Sequence, residues 1–287
     1  MRILLTGSEG QLGTCLKERL PVEWELLACN SQTLNIIEAQ KVLNIVKNFA
    51  PDLVINAAAY TQVDAAETEI KQAFAVNATG TFNLAAAART IGARLIHVST
   101  EQVFDGRQRV PINENMAPNP LNVYGQSKLA GELLALNAHT NTTIVRTSWV
   151  YSEHRHNFVK IMLKKGLETQ NIRVVDDQIG CPTYAGDLAQ TIIQLAKKKQ
   201  PQRGLLHFAG NQKMSWATFA QQIFAFAAQQ DKRYRKVMVE PICSADYQSA
   251  AKRPKYGILD CSTVHKLVEE RVVYTPLAEV ISRLLAK

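Results

Sequence analysis

The feature that most constrains the fold is an alternation of short apolar runs with longer amphipathic segments, starting at the second residue. The runs have the length of buried strands, and the segments between them have helical spacing. This order is typical of a parallel sheet with helices on both faces. The first units are predicted as strands at Arg2–Thr6, Glu25–Cys29 and Leu53–Asn56 and as helices at Gln11–Leu20 and Ile36–Phe49.

The alternation continues to about residue 150 and predicts an α/β, doubly wound parallel sheet of the Rossmann type. Beyond residue 151, Gly, Pro and aromatic residues interrupt it, which is typical of a smaller substrate-binding lobe. We predict a dinucleotide-binding domain at 1–150 and, at 151–287, mainly the lobe, with some segments returning to the first domain. The further elements are predicted as helices at Ala73–Ile91, Ser127–Asn137, Ala185–Lys197, Trp216–Gln229 and Pro276–Leu285 and as strands at Arg94–Ser99 and Thr143–Thr147.

Composition and charge argue against several classes of protein. Hydrophobic residues make up 46% of the chain and charged residues 20%, as in ordinary globular proteins. The five cysteines lack the spacing of metal ligands, so no metal site is predicted from them. The net charge of +8 is spread along the chain, and we expect no nucleic-acid partner. The apolar start is too short for a signal peptide and no run could span a membrane, so a cytoplasmic location is expected.

A glycine-rich segment joins the first predicted strand to the first predicted helix. Gly7, Gly10 and Gly13 are spaced G-x-x-G-x-x-G where backbone N–H groups can meet a cofactor pyrophosphate. The first glycine would allow a tight turn, the second the approach of a phosphate, and the third close packing of the helix. We predict that these glycines, together with Gln11 and Leu12, bind the cofactor.

Further cofactor contacts are predicted where the next two strands end. Ala57, Ala58 and Ala59 are small enough for a cofactor to lie against the backbone, although close helix packing is an alternative explanation. Asn30 and Asn35 follow the second strand, where an acid would favour NADH and an arginine NADPH. Neither cofactor is excluded, and Asn30 is equally well interpreted as a turn residue.

The predicted chemical centre combines a phenol, an ammonium and a hydroxyl group. Tyr124 and Lys128 are four residues apart on a predicted helix and therefore share one face. An adjacent ammonium stabilises a phenolate and lowers the phenol pKa from about 10. Thr100 ends a predicted strand and would offer its hydroxyl to the substrate oxygen, or else cap the strand end. We predict these three residues as catalytic.

Short segments across almost the whole chain carry a family resemblance. They are Leu5–Gly13, Asn56–Glu67, Asn77–Gly80, Val98–Gly106, Pro120–Glu132, Arg146–Tyr151, Gly180–Thr183 and Arg253-Pro254. Together they resemble the dTDP-4-dehydrorhamnose reductases, which are extended short-chain dehydrogenases. The resemblance implies reduction of the 4-keto group of dTDP-4-dehydro-L-rhamnose by NADPH or NADH. It also implies Tyr124 as the proton donor, with Lys128 and Thr100 as its partners.

The same resemblance implies substrate contacts and leaves the sugar open. Trp149 falls at a position that contacts the nucleotide-sugar, and Thr100 and Arg253 lie in the matching segments. Glu101 and Gln102 replace the Asp-Tyr pair that is usual in the family, so a related 4-keto sugar nucleotide is an alternative substrate. A homodimer and a contribution from Mg²⁺ are compatible with the family.

Other functions share much of this pattern. A nucleotide-sugar 4,6-dehydratase needs an acid and a base directly after the threonine, and Gln102 cannot transfer a proton as a carboxyl group does. An epimerase remains open, although such chains are usually longer. A non-catalytic NADP-binding regulatory subunit, similar to the β subunit of methionine adenosyltransferase, would also keep the tyrosine and lysine.

Overall fold

The computed structural model describes residues 1–198, 200, 202–268, 272 and 274–286. At its centre is a six-stranded sheet in which all neighbouring strands are parallel. Its strands are β1 (Arg2–Thr6), β2 (Glu25–Cys29), β3 (Leu53–Asn56), β4 (Arg94–Thr100), β5 (Thr142–Thr147) and β10 (Gly204–His207). They run in the order β2-β1-β3-β4-β5-β10, so the direction of winding reverses between β1 and β3. Ligands of open α/β sheets bind at such a switch point, beyond the carboxyl ends of the strands.

Helices cover both faces of the sheet, which confirms the predicted fold class. Ile3 and Leu5 of β1 pack on one side with α1 and α8, and Leu4 packs on the other with α2 and α5. In α1, Leu12, Cys15 and Leu16 recur at helical spacing and are buried against the sheet. The helices are α1 (Gln11–Arg19), α2 (Ala39–Phe49), α3 (Val63–Ala66), α4 (Ile70–Phe74), α5 (Thr81–Thr90), α6 (Val123–Ala138), α7 (Phe158–Glu168), α8 (Ala185–Lys197), α9 (Trp216–Gln230), α10 (Ser262–Leu267) and α11 (Leu277–Leu285).

The second half of the chain contributes both to the sheet and to a separate apolar cluster. Strand β10 pairs with β5, and α8 packs against α1. Helices α7, α9 and α11 bury a second cluster of their own. The domain boundary at residue 150 stays a prediction. The remaining strands are β6 (Val150–Tyr151), β7 (Asn171–Val175), β8 (Ile179–Gly180), β9 (Thr183–Tyr184), β11 (Met214–Ser215) and β12 (Met238–Ile242).

The helix predicted at Ala73–Ile91 is present as one helical segment from Ile70 to Thr90, but its turn at Ala75–Gly80, between α4 and α5, is a wider π-helix. Within the turn, Asn77 binds both backbone polar groups of Tyr60 through its side chain. A Cβ atom on Gly131 of α6 would lie 2.1 Å from the Asn77 carbonyl oxygen. The backbone of α6 therefore lies close against this turn.

No helix within the described residues is long and apolar enough to cross a membrane.

Candidate active site

A cavity of about 1130 Å³ opens above the switch point and extends towards the apolar cluster of α7, α9 and α11. It is larger than a pocket for one drug-sized ligand, which is typically about 300–1,000 Å³. Of the residues predicted to form the site, all except Gly13 line this cavity. The predicted cofactor and substrate residues are therefore parts of one continuous space.

The phosphate loop has the geometry that a dinucleotide requires. Gly7 has a φ of +68°, and a Cβ atom there would lie 2.6 Å from backbone atoms of Ala57 and Ala58. Gly13 stands behind the loop, where a Cβ atom would lie 2.1 Å from the Gly7 carbonyl oxygen. Gly10 precedes α1, and no side chain of the described residues caps that helix. The first N–H groups of α1 therefore stay available to an anion, which fits a pyrophosphate.

The three alanines after β3 line the cavity beside this loop. Their backbone is held by Asn56, whose Oδ1 accepts from Ala58 N at 3.1 Å and from the Thr6 hydroxyl at 2.7 Å. The close approach of Gly7 to Ala57 shows that their small size also serves packing. Close packing is therefore observed here, and contact of these alanines with a cofactor stays a prediction.

The two asparagines after β2 line the cavity, and their side-chain oxygens are used within local turns. Asn30 Oδ1 accepts from Gln32 N and Thr33 N, both at 3.0 Å. Asn35 Oδ1 accepts from Ile37 N at 3.2 Å, and this turn delays the start of α2 from the predicted Ile36 to Ala39. The Asn30 amide nitrogen instead donates to Glu9 Oε1 at 2.6 Å.

Tyr124 lies in the first turn of α6, which begins earlier than predicted because Asn122 caps it. The Asn122 Oδ1 accepts from Gly125 N at 2.7 Å, so the helix starts at Val123 instead of Ser127. Desolvation raises the pKa of Tyr124 above its ordinary value, the Glu101 carboxylate raises it further, and a hydrogen bond with Thr100 opposes both. The sequence led us to expect a pKa lowered by Lys128, but burial dominates. The phenol therefore carries its proton at neutral pH, as a proton donor must.

Lys128 is buried at the cavity wall and anchored to the end of β4. Its Nζ donates to the Val98 carbonyl oxygen at 2.7 Å and lies 3.3 Å from His97 Nε2. Burial lowers the pKa of Lys128 to about 8, while Glu132, one helical turn away, opposes the shift. On its other side, His97 Nδ1 lies 3.0 Å from the Asn56 amide nitrogen. Val98 and His97 thus hold the ammonium in position, and the sequence did not predict either of them for this role.

Thr100 and Glu101 form a hydrogen-bonded pair beside the phenol. The Thr100 hydroxyl donates to Glu101 Oε2 at 2.9 Å and accepts from Gln102 N at 3.2 Å. Burial raises the pKa of Glu101 to about 7. An ionised Glu101 therefore engages the Thr100 hydrogen, whereas a protonated Glu101 can donate and leave that hydrogen for another acceptor.

Gln102 and Arg253 line the cavity, and each is held by a distant segment. Gln102 Oε1 accepts from the Asn122 amide at 2.9 Å. Arg253 Nη2 lies 2.6 Å from Asp64 Oδ2, and its Nη1 lies 3.1 Å from Asp64 Oδ1. The ion pair joins α3 to the segment that precedes α10 at one wall of the site.

Two stacked tryptophans form the wall next to the apolar cluster of α7, α9 and α11. The rings of Trp149 and Trp216 lie 3.5 Å apart at an angle of 8°. Trp149 has a φ of +46°, and a Cβ atom on Gly180 would lie 2.5 Å from its ring. Trp216 was missed by the sequence reading. The rarity of tryptophan was the available signal, since two of the three in the chain meet here.

Two residues at the ends of adjacent strands, Ser99 and Thr147, also belong to the cavity wall. Ser99 of β4 and Thr147 of β5 line it, and their buried hydroxyl oxygens lack a hydrogen-bond partner among the described residues. Buried polar groups without partners are uncommon in folded proteins. Because water cannot reach either oxygen, both lie behind the surface of the cavity.

Comparisons with known proteins agree with this geometry. The family model of the RmlD substrate binding domain matches residues 1–285. The dTDP-4-dehydrorhamnose reductase of Sinorhizobium fredii is 38% identical over 93% of this chain and 91% of its own length. The reductase of Aggregatibacter actinomycetemcomitans is 41% identical over 92% of each chain. The crystal structure of the Bacillus anthracis reductase in complex with NADP superposes with a TM-score of 0.91 at 36% identity, covering 99% of this chain and 98% of that one. The chain belongs to the dTDP-4-dehydrorhamnose reductase family.

Proposed function

We propose that the protein is an NAD(P)H-dependent reductase that converts dTDP-4-dehydro-L-rhamnose to dTDP-L-rhamnose. The observation that carries this proposal is the meeting of Tyr124, Lys128 and Thr100 in the cavity that begins at the phosphate loop. The relatives named as reductases of this substrate support it, since they match the chain over nearly its full length.

Each part of the site has a separate role in the proposed reduction. The loop from Gly7 to Gly10 and the start of α1 would hold a nicotinamide dinucleotide, which supplies the hydride when bound. Tyr124 gives its proton to the carbonyl oxygen of the sugar as negative charge develops there. We expect the Lys128 ammonium to stabilise the phenolate that remains. The Thr100 hydroxyl donates to the same carbonyl oxygen when Glu101 is protonated.

The stacked tryptophans would form the platform for the sugar nucleotide. Aromatic rings provide a flat apolar surface against which a deoxysugar or a thymine ring can pack. Stacking on Trp216 and contact with Gly180 fix the Trp149 ring, so little side-chain entropy is lost on binding. Gln102 lies at the sugar end, where the family usually has a tyrosine, and its side-chain oxygen is already bound to Asn122. We therefore expect a substrate that does not depend on a tyrosine hydroxyl at this position.

The test is to follow the oxidation of NADH and NADPH with a panel of dTDP-, UDP- and GDP-linked 4-keto sugars. We expect the highest kcat/KM with dTDP-4-dehydro-L-rhamnose, and one nicotinamide oxidised for each sugar reduced. Cofactor binding without oxidation by any sugar would contradict the proposal and favour the regulatory subunit. A parallel assay with dTDP-glucose and NAD⁺ tests the other enzymes, because loss of water or inversion at C4 without net change in the nicotinamide would favour the dehydratase or the epimerase.

The cytoplasmic location, the homodimer, the absence of a nucleic-acid partner and the contribution of Mg²⁺ remain predictions. Light scattering on the purified chain measures its mass in solution, and treatment with EDTA tests the metal. We expect a dimer and activity that does not collapse on chelation, because the proposed proton donor and its partners are side chains of the protein.

A further inference from the structure

The acceptor that normally selects the cofactor is missing from the end of β2. An acid at this position usually binds the adenosine ribose hydroxyls, whereas an arginine accommodates the 2′-phosphate of NADPH. Asn30 stands here, but its Oδ1 already accepts from Gln32 N, Thr33 N and the Thr33 hydroxyl. Its amide nitrogen can donate but not accept. Asn30 therefore cannot receive hydrogen bonds from a ribose diol.

A carboxylate reaches this position from the phosphate loop. Glu9 lies between Gly7 and Gly10, lines the cavity and receives the Asn30 amide at 2.6 Å. The hydrogen bond from Asn30 is the main cause that lowers the pKa of Glu9, and Arg155 adds to it, so the group is ionised at neutral pH. A carboxylate has about four acceptor positions. Asn30 and Arg155 occupy one each, so positions remain for a ligand.

The nearest cation in this corner is already paired with Glu9. Arg155, which follows β6, donates from Nε to the Glu9 carbonyl oxygen at 2.6 Å and from Nη2 to Glu9 Oε2 at 2.9 Å. It also lines the cavity. The 2′-phosphate of NADPH would be repelled by the Glu9 carboxylate at this place. Arg155 would attract it only weakly, because Glu9 offsets the charge of Arg155.

We propose that Glu9 takes the place of the missing acid after β2, accepts the adenosine ribose hydroxyls and makes NADH the preferred cofactor. This inference rests on the proposed function only in requiring a dinucleotide, and it concerns a residue of the phosphate loop instead of the strand end. Arg155 holds the carboxylate in place and is the group that would bind a 2′-phosphate if the carboxylate were absent.

The experiment measures the Kd of NADH and of NADPH in the absence of sugar, from the fluorescence of the bound reduced nicotinamide. The wild-type chain should bind NADH about tenfold more tightly or better. Glu9→Gln should weaken NADH about tenfold and tighten NADPH, because it removes the charged acceptor and frees Arg155. Adding Arg155→Gln to that variant should abolish the gain in NADPH binding. Glu23→Gln changes the net charge equally at an exposed residue outside the cavity lining and should alter neither Kd.

Tighter binding of NADPH by the wild-type chain would overturn the inference. A Glu9→Gln variant that weakens both cofactors equally would also overturn it, since the residue would then support binding without discrimination. If both cofactors bind and the sugar is reduced while the ratio is unchanged, this inference alone fails. If neither cofactor binds, the proposed function fails with it.

Discussion

The two ends of the cavity are built in different ways. The phosphate end comes from consecutive βα turns between Thr6 and Ala59. Its backbone segments lie close together because glycines there have no Cβ atom. The sugar end is assembled from Thr100, Tyr124, Trp149 and other side chains that lie far apart in the chain. The difference suggests that changes at the first end act on folding and cofactor binding, whereas changes at the second act on turnover and on the choice of sugar.

The largest loss of activity is expected when the proton donor is changed. Tyr124→Phe keeps the ring but removes the proton, and general acid catalysis typically contributes about 10²–10⁴ in rate. We expect kcat to fall by that factor while the Kd of the cofactor stays within about twofold. Steady-state kinetics and cofactor titration measure the two quantities. A parallel loss of cofactor affinity would mean that the two ends are not separable.

Next in size is a change at the phosphate end. Gly7→Ala places a Cβ atom 2.6 Å from the Ala57 backbone at a φ of +68°, so the loop must move. We expect a loss of about 2 kcal/mol or more in the free energy of unfolding and greatly weakened cofactor binding. Gly92 is a matched control because it has a φ of +72° and open space around its missing Cβ. Gly92→Ala should cost only about 1 kcal/mol, and equal losses in urea unfolding would refute the role of close approach.

A smaller effect is expected at the tryptophan platform. Trp216→Leu removes the ring that stacks on Trp149, which should raise the KM for the sugar nucleotide about tenfold. The Kd of the cofactor should not change, because the ring contacts of Trp216 are with Trp149, Phe158 and Phe219. Trp216→Phe keeps an aromatic surface and should recover most of the affinity. An unchanged KM in the leucine variant would remove Trp216 from the substrate site.

The smallest expected effect is a shift in pH dependence at Glu101. Because burial raises its pKa to about 7, Glu101 is protonated below that pH and can leave the Thr100 hydrogen for the substrate. The wild-type kcat/KM should therefore fall as the pH rises through about 7. Glu101→Gln, whose amide donates at every pH, should retain activity until Lys128 loses its proton near pH 8. Identical pH profiles for the two proteins would show that Glu101 does not control Thr100.

The same substitution has a consequence for stability with a definite sign. The folded state keeps the Glu101 proton between about pH 4.5 and 7, where the unfolded chain releases it. The unfolded state then binds fewer protons, so stability falls as the pH rises through this window. Glu101→Gln should flatten that part of the curve when unfolding in urea is measured against pH.

The sequence predicts the local patterns of the site well and the contacts between distant segments poorly. Gly7 and Gly10 after β1 and the spacing of Tyr124 and Lys128 are local patterns, and all four residues line the cavity as expected. The turn at 75–80 could not be predicted, because it depends on how closely Gly131 approaches Asn77.

Side-chain partners from distant segments were equally hidden. Glu9 was passed over because it meets Asn30 only when the loop after β1 folds over the end of β2. His97 lies inside a strand that looks purely structural, and its place beneath Lys128 depends on how α6 packs on β4. Periodicity and turn chemistry report on neighbours along the chain, and these contacts join elements that are separated by many residues.

The most direct test of the account follows the hydrogen that is transferred. The protein is incubated with dTDP-4-dehydro-L-rhamnose and NADH that carries deuterium at the transferable position of the nicotinamide, and the product is analysed by NMR. The account predicts dTDP-L-rhamnose with one deuterium on C4 of the sugar. An oxidised nicotinamide with no deuterium at that carbon, or no oxidation at all, would contradict it.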